Sequence, residues 1–205
     1  MDKSKSHPNR TGRPLSFDRG AALKVAMHLF WQHGFEATSI AELTHAMRIT
    51  PPSLYAAFGD KRRLFMETVD LYLGGVDTVT KGIDAATTAR DAARELLTAA
   101  AIGHTGEDTP RGCLLASAIV SSSTRADDIR EELADIRRHI EAALRSRIER
   151  DIRAGILPAN ADADMLAGHV FAVIQGMSTL AKDGANRDKL LRIVHGTMLG
   201  WPDSN

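Results

Sequence analysis

The chain of 205 residues contains one cysteine, Cys113, so it can form no intramolecular disulfide and no Cys-rich zinc site. Aromatic residues make up only 5%, alanine is abundant, and no long alternating run of β-branched residues occurs. This composition disfavours a β-rich fold and points to closely packed helices. No apolar run approaches the ~20 residues needed to cross a bilayer, and the opening MDKSKSHPNR is polar rather than a secretory leader. The expected protein is cytoplasmic, with no membrane partner. Also missing is a catalytic constellation: there is no Ser or Cys with a recognisable base, no phosphate-cradling Gly loop and no HExxH. His28, His33 and His45 have no second ligand at consistent helical spacing. The reading is therefore binding rather than catalysis, with no enzyme activity, no metal and no cofactor.

Net charge is zero, which by itself argues against nucleic acid. Its distribution reverses that inference. Through Arg63 the chain carries ten Lys and Arg against five Asp and Glu, and the remainder sixteen against twenty-one. A basic end on an acidic body suits a protein that meets DNA through one face.

The stretch from Thr38 to Lys61, TSIAELTHAMRITPPSLYAAFGDK, predicts two short helices joined by a tight turn. Ser39 caps the first, with Glu42 reaching back in a capping box. Ile40, Leu43 and Met47 fall on one face of it. Thr50 caps the second, whose first turn tolerates Pro51 and Pro52 because their missing N–H groups have no partner to lose. Leu54 and Phe58 form its buried stripe, leaving Thr50, Ser53 and Tyr55 outside that stripe. The spacing fits a helix-turn-helix and equally an ordinary helical hairpin in a bundle.

The residue types separate the two. Ser-Leu-Tyr, Ala-Ala-Phe and Gly-Asp-Lys, preceded by Thr-Ser and Gly-Phe, resemble the DNA-binding domain of the TetR family of bacterial regulators over about the first third of the chain. The resemblance implies an all-α protein: a three-helix head with the helix-turn-helix, and a helical-bundle body that binds ligand and dimerises. It implies phosphate contacts from Thr38 and Ser39, base contacts from Thr50, Pro51, Pro52 and Ser53, and backbone contacts from Tyr55 and Lys61. One departure stands in the turn, where the family usually has Gly and this chain has Arg48. A left-handed backbone there costs a side-chain-bearing residue about 1 kcal/mol; Arg48 is also placed to add a phosphate contact.

Residues 1–15 read as a flexible basic arm, in which Arg10 to Pro14 resemble Gly-Arg-Pro arms that enter an AT-rich minor groove, with Arg13 as the inserted side chain. Ser16 is expected to open helix 1 and Gly34 to end it, so that residues 16–62 form the head and 63–205 the body. Asp60 caps a bridging helix interrupted at Gly74-Gly75, a hinge candidate because Gly weakens a helix. In the body, Ala89 to Ile102 is one helix. Gly112 to Val120 is a short buried segment. Ile129 to Ile152 is a long helix, closed by Gly155 and Pro158, whose charged residues Glu131, Arg137, Arg138, Glu141, Arg145 and Glu149 read as a solvated face.

Asp162 caps the next helix, with Phe171 and Ile174 off its main stripe, and a last helix follows. In the family the two final helices pair with their copies in a four-helix interface. The resemblance thus assigns Val170, Val173, Met177, Leu190, Val194 and Met198 to a homodimer contact, with Gly168, Ala172 and Gly176 permitting close approach; both stripes being simply core is the other reading. His104, Ser117 and Gln175, near Phe171, are the polar groups expected in an apolar ligand cavity. Cys113, in a Gly-Cys-Leu-Leu segment resembling one subgroup of the family, is either a sensing thiol at that cavity or plain core. The expected function is a DNA-binding regulator, a repressor released from a near-palindromic double-stranded operator by an unknown small-molecule effector. The alternatives are a DNA binder without sequence choice and a helical ligand-binding protein that no longer binds DNA.

Overall fold

The structure is a computed structural model that describes residues 17–117 and 127–202; Arg13 and Ser16 lie outside these residues. The described residues form helices and turns. The helices are α1 (Arg19–Ala37), α2 (Ile40–Met47), α3 (Pro51–Phe58), α4 (Lys61–Leu73), α5 (Val76–Ala85), α6 (Ala89–Gly103), α7 (Leu114–Ser117), α8 (Asp127–Arg153), α9 (Ala163–Lys182) and α10 (Arg187–Leu199). Seven of them start on a side-chain oxygen that accepts a backbone N–H three residues on: Asp18, Ser39, Thr50, Asp60, Thr88, Asp162 and Asn186. Short polar side chains fill the first turn's orphan donors, which is why these boundaries are sharp. The first of them corrects the sequence expectation, since Asp18 rather than Ser16 caps α1. Gly34, at φ 80°, breaks α1 as expected, and only a short helical remnant continues to Ala37.

Three helix ends close alike. After α4, α8 and α9 the backbone turns left-handed at Gly74, Gly155 and Gly184, each N–H bonding three residues back while the next N–H bonds five residues back. The end of α2 makes the same pair of bonds, Arg48 to the His45 carbonyl and Ile49 to the Thr44 carbonyl, with Arg48 at φ 55°. Arg48 is the one non-glycine at positive φ among the described residues, and it holds a conformation that costs an L-residue roughly 1–2 kcal/mol.

Helix α5 was not foreseen. It follows Gly75 without a side-chain cap, and its Val, Thr and Gly content is poor for a helix. Tertiary contact overrides propensity: Ile83 is buried, and Val76 and Val79 pack on the body core. The Gly74-Gly75 pair is thus a junction between two helices, with φ of 68° and 89°, rather than a soft spot inside one. Alanine at either position would be strained by its backbone, so the hinge expectation is not tested by the stiffening substitution that a continuous helix would suggest.

Two apolar cores organise the chain. One gathers Ala22, Ala26, Phe30 and Trp31 of α1 with Leu43 and Met47, Leu54 and Phe58, and Leu64, Phe65 and Val69, together with Cys113, Leu114, Leu115, Ile129 and Leu133. Segments far along the sequence therefore complete the packing of the first four helices. The other core lies among α6, α8, α9 and α10, around Leu97, Leu144, Ile148, Val170, Met177 and Leu190. At its edge Arg147 and Asp151 form a buried ion pair; Asp151 also accepts the Ala89 N–H at 2.6 Å, and Arg147 donates to the Ala86 and Thr87 carbonyls at 3.2 and 2.7 Å. These bonds satisfy the start of α6 and fasten it to α8, which offsets the desolvation of two charges.

Candidate DNA-binding face and ligand cavity

Helix α3 presents a polar face because its apolar residues are spent inward. Leu54 and Phe58 are buried, while Thr50, Pro51, Pro52 and Tyr55 are exposed, Tyr55 at 49%. Thr50 Oγ1 lies 2.9 Å from Ser53 Oγ, so the two hydroxyls form one preordered group at the helix N-terminus. The far end of α3 is clamped by Arg19. Its guanidinium lies over the Phe58 ring at 4.5 Å, donates to the Ala57 carbonyl at 3.2 Å, and pairs with Glu67 of α4 at 2.7 Å. An eight-residue helix gains little from its own hydrogen bonds, so this anchoring sets its orientation.

The neighbouring predicted contacts are arranged unequally. Ser39 and Glu42 make the full capping box, and bonding to Ser39 holds the Glu42 carboxyl below its usual range. Lys61 is half-buried, with Nζ 3.3 Å from the Glu36 carbonyl and 4.5 Å from the centre of the Phe35 ring; desolvation pushes its pKa down despite Glu36 and Glu42 nearby. Arg48 is exposed at the turn. Thr38 departs from expectation: it is buried, and its hydroxyl donates to the Gly34 carbonyl at 2.7 Å. Its one hydroxyl hydrogen is spent closing the α1 break, which leaves none for a phosphate.

A cavity of about 240 Å³ opens in the body among α4, α6, α8 and α9. Four residues expected there line it: His104, Cys113, Phe171 and Gln175. Ser117 does not; it is buried, and its hydroxyl donates to the Cys113 carbonyl at 2.9 Å to close the turn of α7. Two polar lining residues escaped the sequence reading, Tyr72 and Arg137. The Tyr72 phenol is held protonated, first by burial and then by its hydrogen-bonded neighbour Cys113. The Arg137 pKa is lowered by burial, and its buried Nη1 has no hydrogen-bond partner. His104 Nδ1 is likewise buried and unpartnered, and burial, with Lys182 adding repulsion, brings this imidazole down to about 4. A sequence signal for Arg137 existed: it falls on the heptad-like row Leu133, Arg137, Ile140, Leu144, which faces inward.

The expected dimer residues are also corrected. Val170, Met177, Leu190, Val194 and Met198 are enclosed by the chain's own core, so their side chains are out of reach of a second copy; Val173 is half-buried. The opposite row of α9 and α10 is open, with Met165 56% and Leu199 72% exposed alongside His169, Ala172, Gly176, His195 and Gly196. Among the described residues no helix is long and apolar enough to cross a membrane, and no cluster of His, Cys, Asp and Glu forms a metal site.

A short helix with a polar outer face, carried by a basic three-helix head and joined to a helical body with an apolar cavity, defines a one-chain regulator with a helix-turn-helix. Residues 22–68 match the family model for bacterial regulatory proteins of the tetR family, and residues 83–195 that for the tetracyclin repressor-like C-terminal domain. The chain is 35% identical over 194 residues to the HTH-type transcriptional repressor ComR of Escherichia coli (strain K12), covering 94% of this chain and 92% of that one. A cysteine mutant of the TetR family transcriptional regulator CifR, complexed with 26bp double-strand operator DNA, is 39% identical with a TM-score of 0.84, covering 93% of this chain and all of the other. A putative TetR regulator from Rhodococcus sp. RHA1 is 35% identical with a TM-score of 0.62, over 91% of this chain and all of that one. The chain belongs to the TetR family, and is a DNA-binding transcriptional regulator with the all-α fold of that family.

Proposed function

We propose that the chain is a cytoplasmic, non-enzymatic repressor that holds a near-palindromic operator as a homodimer and lets go when a small molecule fills the body cavity. The observation that carries this reading is the pairing of an exposed α3 face with a body cavity whose lining residue Tyr72 packs against Trp31 of the head. Residues 16–62 serve as the DNA-binding head and 63–205 as the ligand-binding and dimerising body. Thr50, Pro51, Pro52 and Ser53 face base edges, and Ser39, Arg48, Tyr55 and Lys61 contact phosphates; Arg13 enters the minor groove.

Two heads are needed because one eight-residue helix covers too few base pairs for specificity. A two-fold dimer places its recognition helices in successive major grooves, about 34 Å apart or somewhat more. The open row around Met165, Ala172, Gly176 and Leu199 is the face that a second copy would cover, its small residues allowing close helix contact. That a cysteine mutant of CifR is complexed with a 26bp operator duplex supports an operator of similar span. The effector acts by preferring a conformation whose heads are wrongly spaced, since a ligand binding both forms equally shifts nothing.

The test is a titration of the purified protein with fragments from around its own gene, at two salt concentrations, against random duplex. Salt-sensitive affinity at least a thousandfold above random duplex is expected of an operator binder. Equal, weak affinity for both would replace this reading with a DNA binder lacking sequence choice.

A further inference from the structure

The cavity is apolar except for a few groups, and one of these carries a charge that no described residue pairs with. Arg137 projects from the inward row of α8 beside Ile140. Its Nη1 is buried without a hydrogen-bond partner, and among the described residues no carboxylate stands within ion-pair distance of it. Its sequence neighbour differs: Arg138 is exposed and bonded to Glu131 and Asp135. A guanidinium nitrogen kept from water with no acceptor is costly, and a fold retains one most readily where an arriving anion supplies the acceptor.

The other polar groups restrict the anion. His104 is neutral near pH 7 and keeps a buried, unpartnered Nδ1, so it can form one hydrogen bond to a ligand and adds no positive charge. Among the described residues Arg137 is thus the one cation lining the cavity, which suits a single negative charge and leaves a phosphate dianion half-compensated. A planar carboxylate matches the guanidinium fork. Phe171, Ile140 and Ile174 offer the rest of the ligand only apolar contact, and about 240 Å³ limits it to a compact body.

We propose that the effector is a compact apolar monocarboxylic acid whose carboxylate pairs with Arg137. The proposal rests on reading the cavity as the effector site, and the experiment separates the two. Isothermal titration of the full-length protein uses benzoate, 3-phenylpropionate, hexanoate and octanoate, each beside its own neutral primary amide. Release of operator DNA is followed by fluorescence anisotropy with the same compounds. At least one acid should bind the unaltered protein 10- to 100-fold more tightly than its amide. Arg137→Met should erase that preference while amide affinity persists, and Arg137→Lys, which keeps the charge, should restore part of it.

Folding is not expected to interfere with Arg137→Met, because a buried charged nitrogen without a partner carries a desolvation cost that the substitution removes; a melting temperature at or above that of the parent protein checks this. An amide equal to its acid in every pair, or a preference that survives Arg137→Met, overturns the proposal. Acid-selective binding that leaves operator affinity unchanged retains the acid site and refutes the effector reading. Amides that release the operator where acids do not retain the effector reading and refute the acid site. If no compound of either kind binds, both fall.

Discussion

The indole of Trp31 donates its Nε1 hydrogen to the Gly112 carbonyl at 3.1 Å, a bond between residues 81 positions apart that ties the first helix of the head to the segment leading into the cavity wall. The same indole packs edge-on against Tyr72, with ring centroids 4.8 Å apart. Tyr72 and Cys113 both line the cavity, so a ligand there presses on groups already in contact with α1. A buried hydrogen bond and a ring contact give the head and body one shared element that a ligand can bias.

Trp31→Phe keeps a ring and leaves the Gly112 carbonyl without its donor. We expect a loss of about 1–3 kcal/mol in urea unfolding. Operator affinity should persist, while release by the effector should weaken. Anisotropy titrations with and without effector check this, and full release by the variant would remove Trp31 from the coupling.

Arg48→Gly relieves the left-handed position in the turn between α2 and α3. Chemical denaturation should show a gain of about 1 kcal/mol, reduced by the added freedom of the unfolded chain. If Arg48 also meets a phosphate, the slope of log affinity against log salt should fall by about one at the same time. Both outcomes come from the one variant, and an unchanged slope would assign Arg48 to the turn alone.

Asp151→Ala leaves Arg147 buried without its carboxylate and the start of α6 without an acceptor for the Ala89 N–H. A destabilisation of about 3–5 kcal/mol is expected. The double variant Arg147→Met with Asp151→Leu should recover a good part of it. Calorimetry on the unaltered protein, Arg147→Met, Asp151→Leu and the double variant measures the coupling, and simple additivity would contradict a mutually dependent pair.

His104 titrates near 6.5 in the unfolded chain and near about 4 in the folded protein, because burial penalises the imidazolium. Between those values the unfolded state binds the extra proton, so stability should fall as pH drops below about 6.5 and level off below about 4. The NMR titration of the His104 ring should show only slight protonation, about a tenth, at pH 5. His104→Gln should flatten this part of the stability profile.

The head was legible in the sequence because its signals are local. Ser39 with Glu42, Thr50 with two prolines, and Asp60 are short-range hydrogen-bonding instructions that act before tertiary contacts form, and each caps the helix expected of it. Arg48 was flagged by residue type alone, and the structure supplies the φ of 55° that makes it strained. Arg137 shows the opposite case. In a helix dense with Arg and Glu it reads as one more solvated charge, although its spacing from Leu133 and Ile140 already put it on the inward row. Five of the six residues assigned to the dimer, Val173 apart, lie in the chain's own core for a related reason: periodicity identifies an apolar stripe and is silent on whether the chain's own core or a second copy covers it.

The sequence by itself determined the capped helix starts at Ser39, Thr50, Asp60 and Asp162, that the fold is all-α, and that one end is basic, since caps and charge counts depend on neighbours along the chain. The tertiary structure alone decided which face of α9 is enclosed and that Tyr72, His104, Cys113 and Arg137 share one cavity. Those facts depend on contacts between residues tens of positions apart, where burial and the supply of hydrogen-bond partners are set by packing.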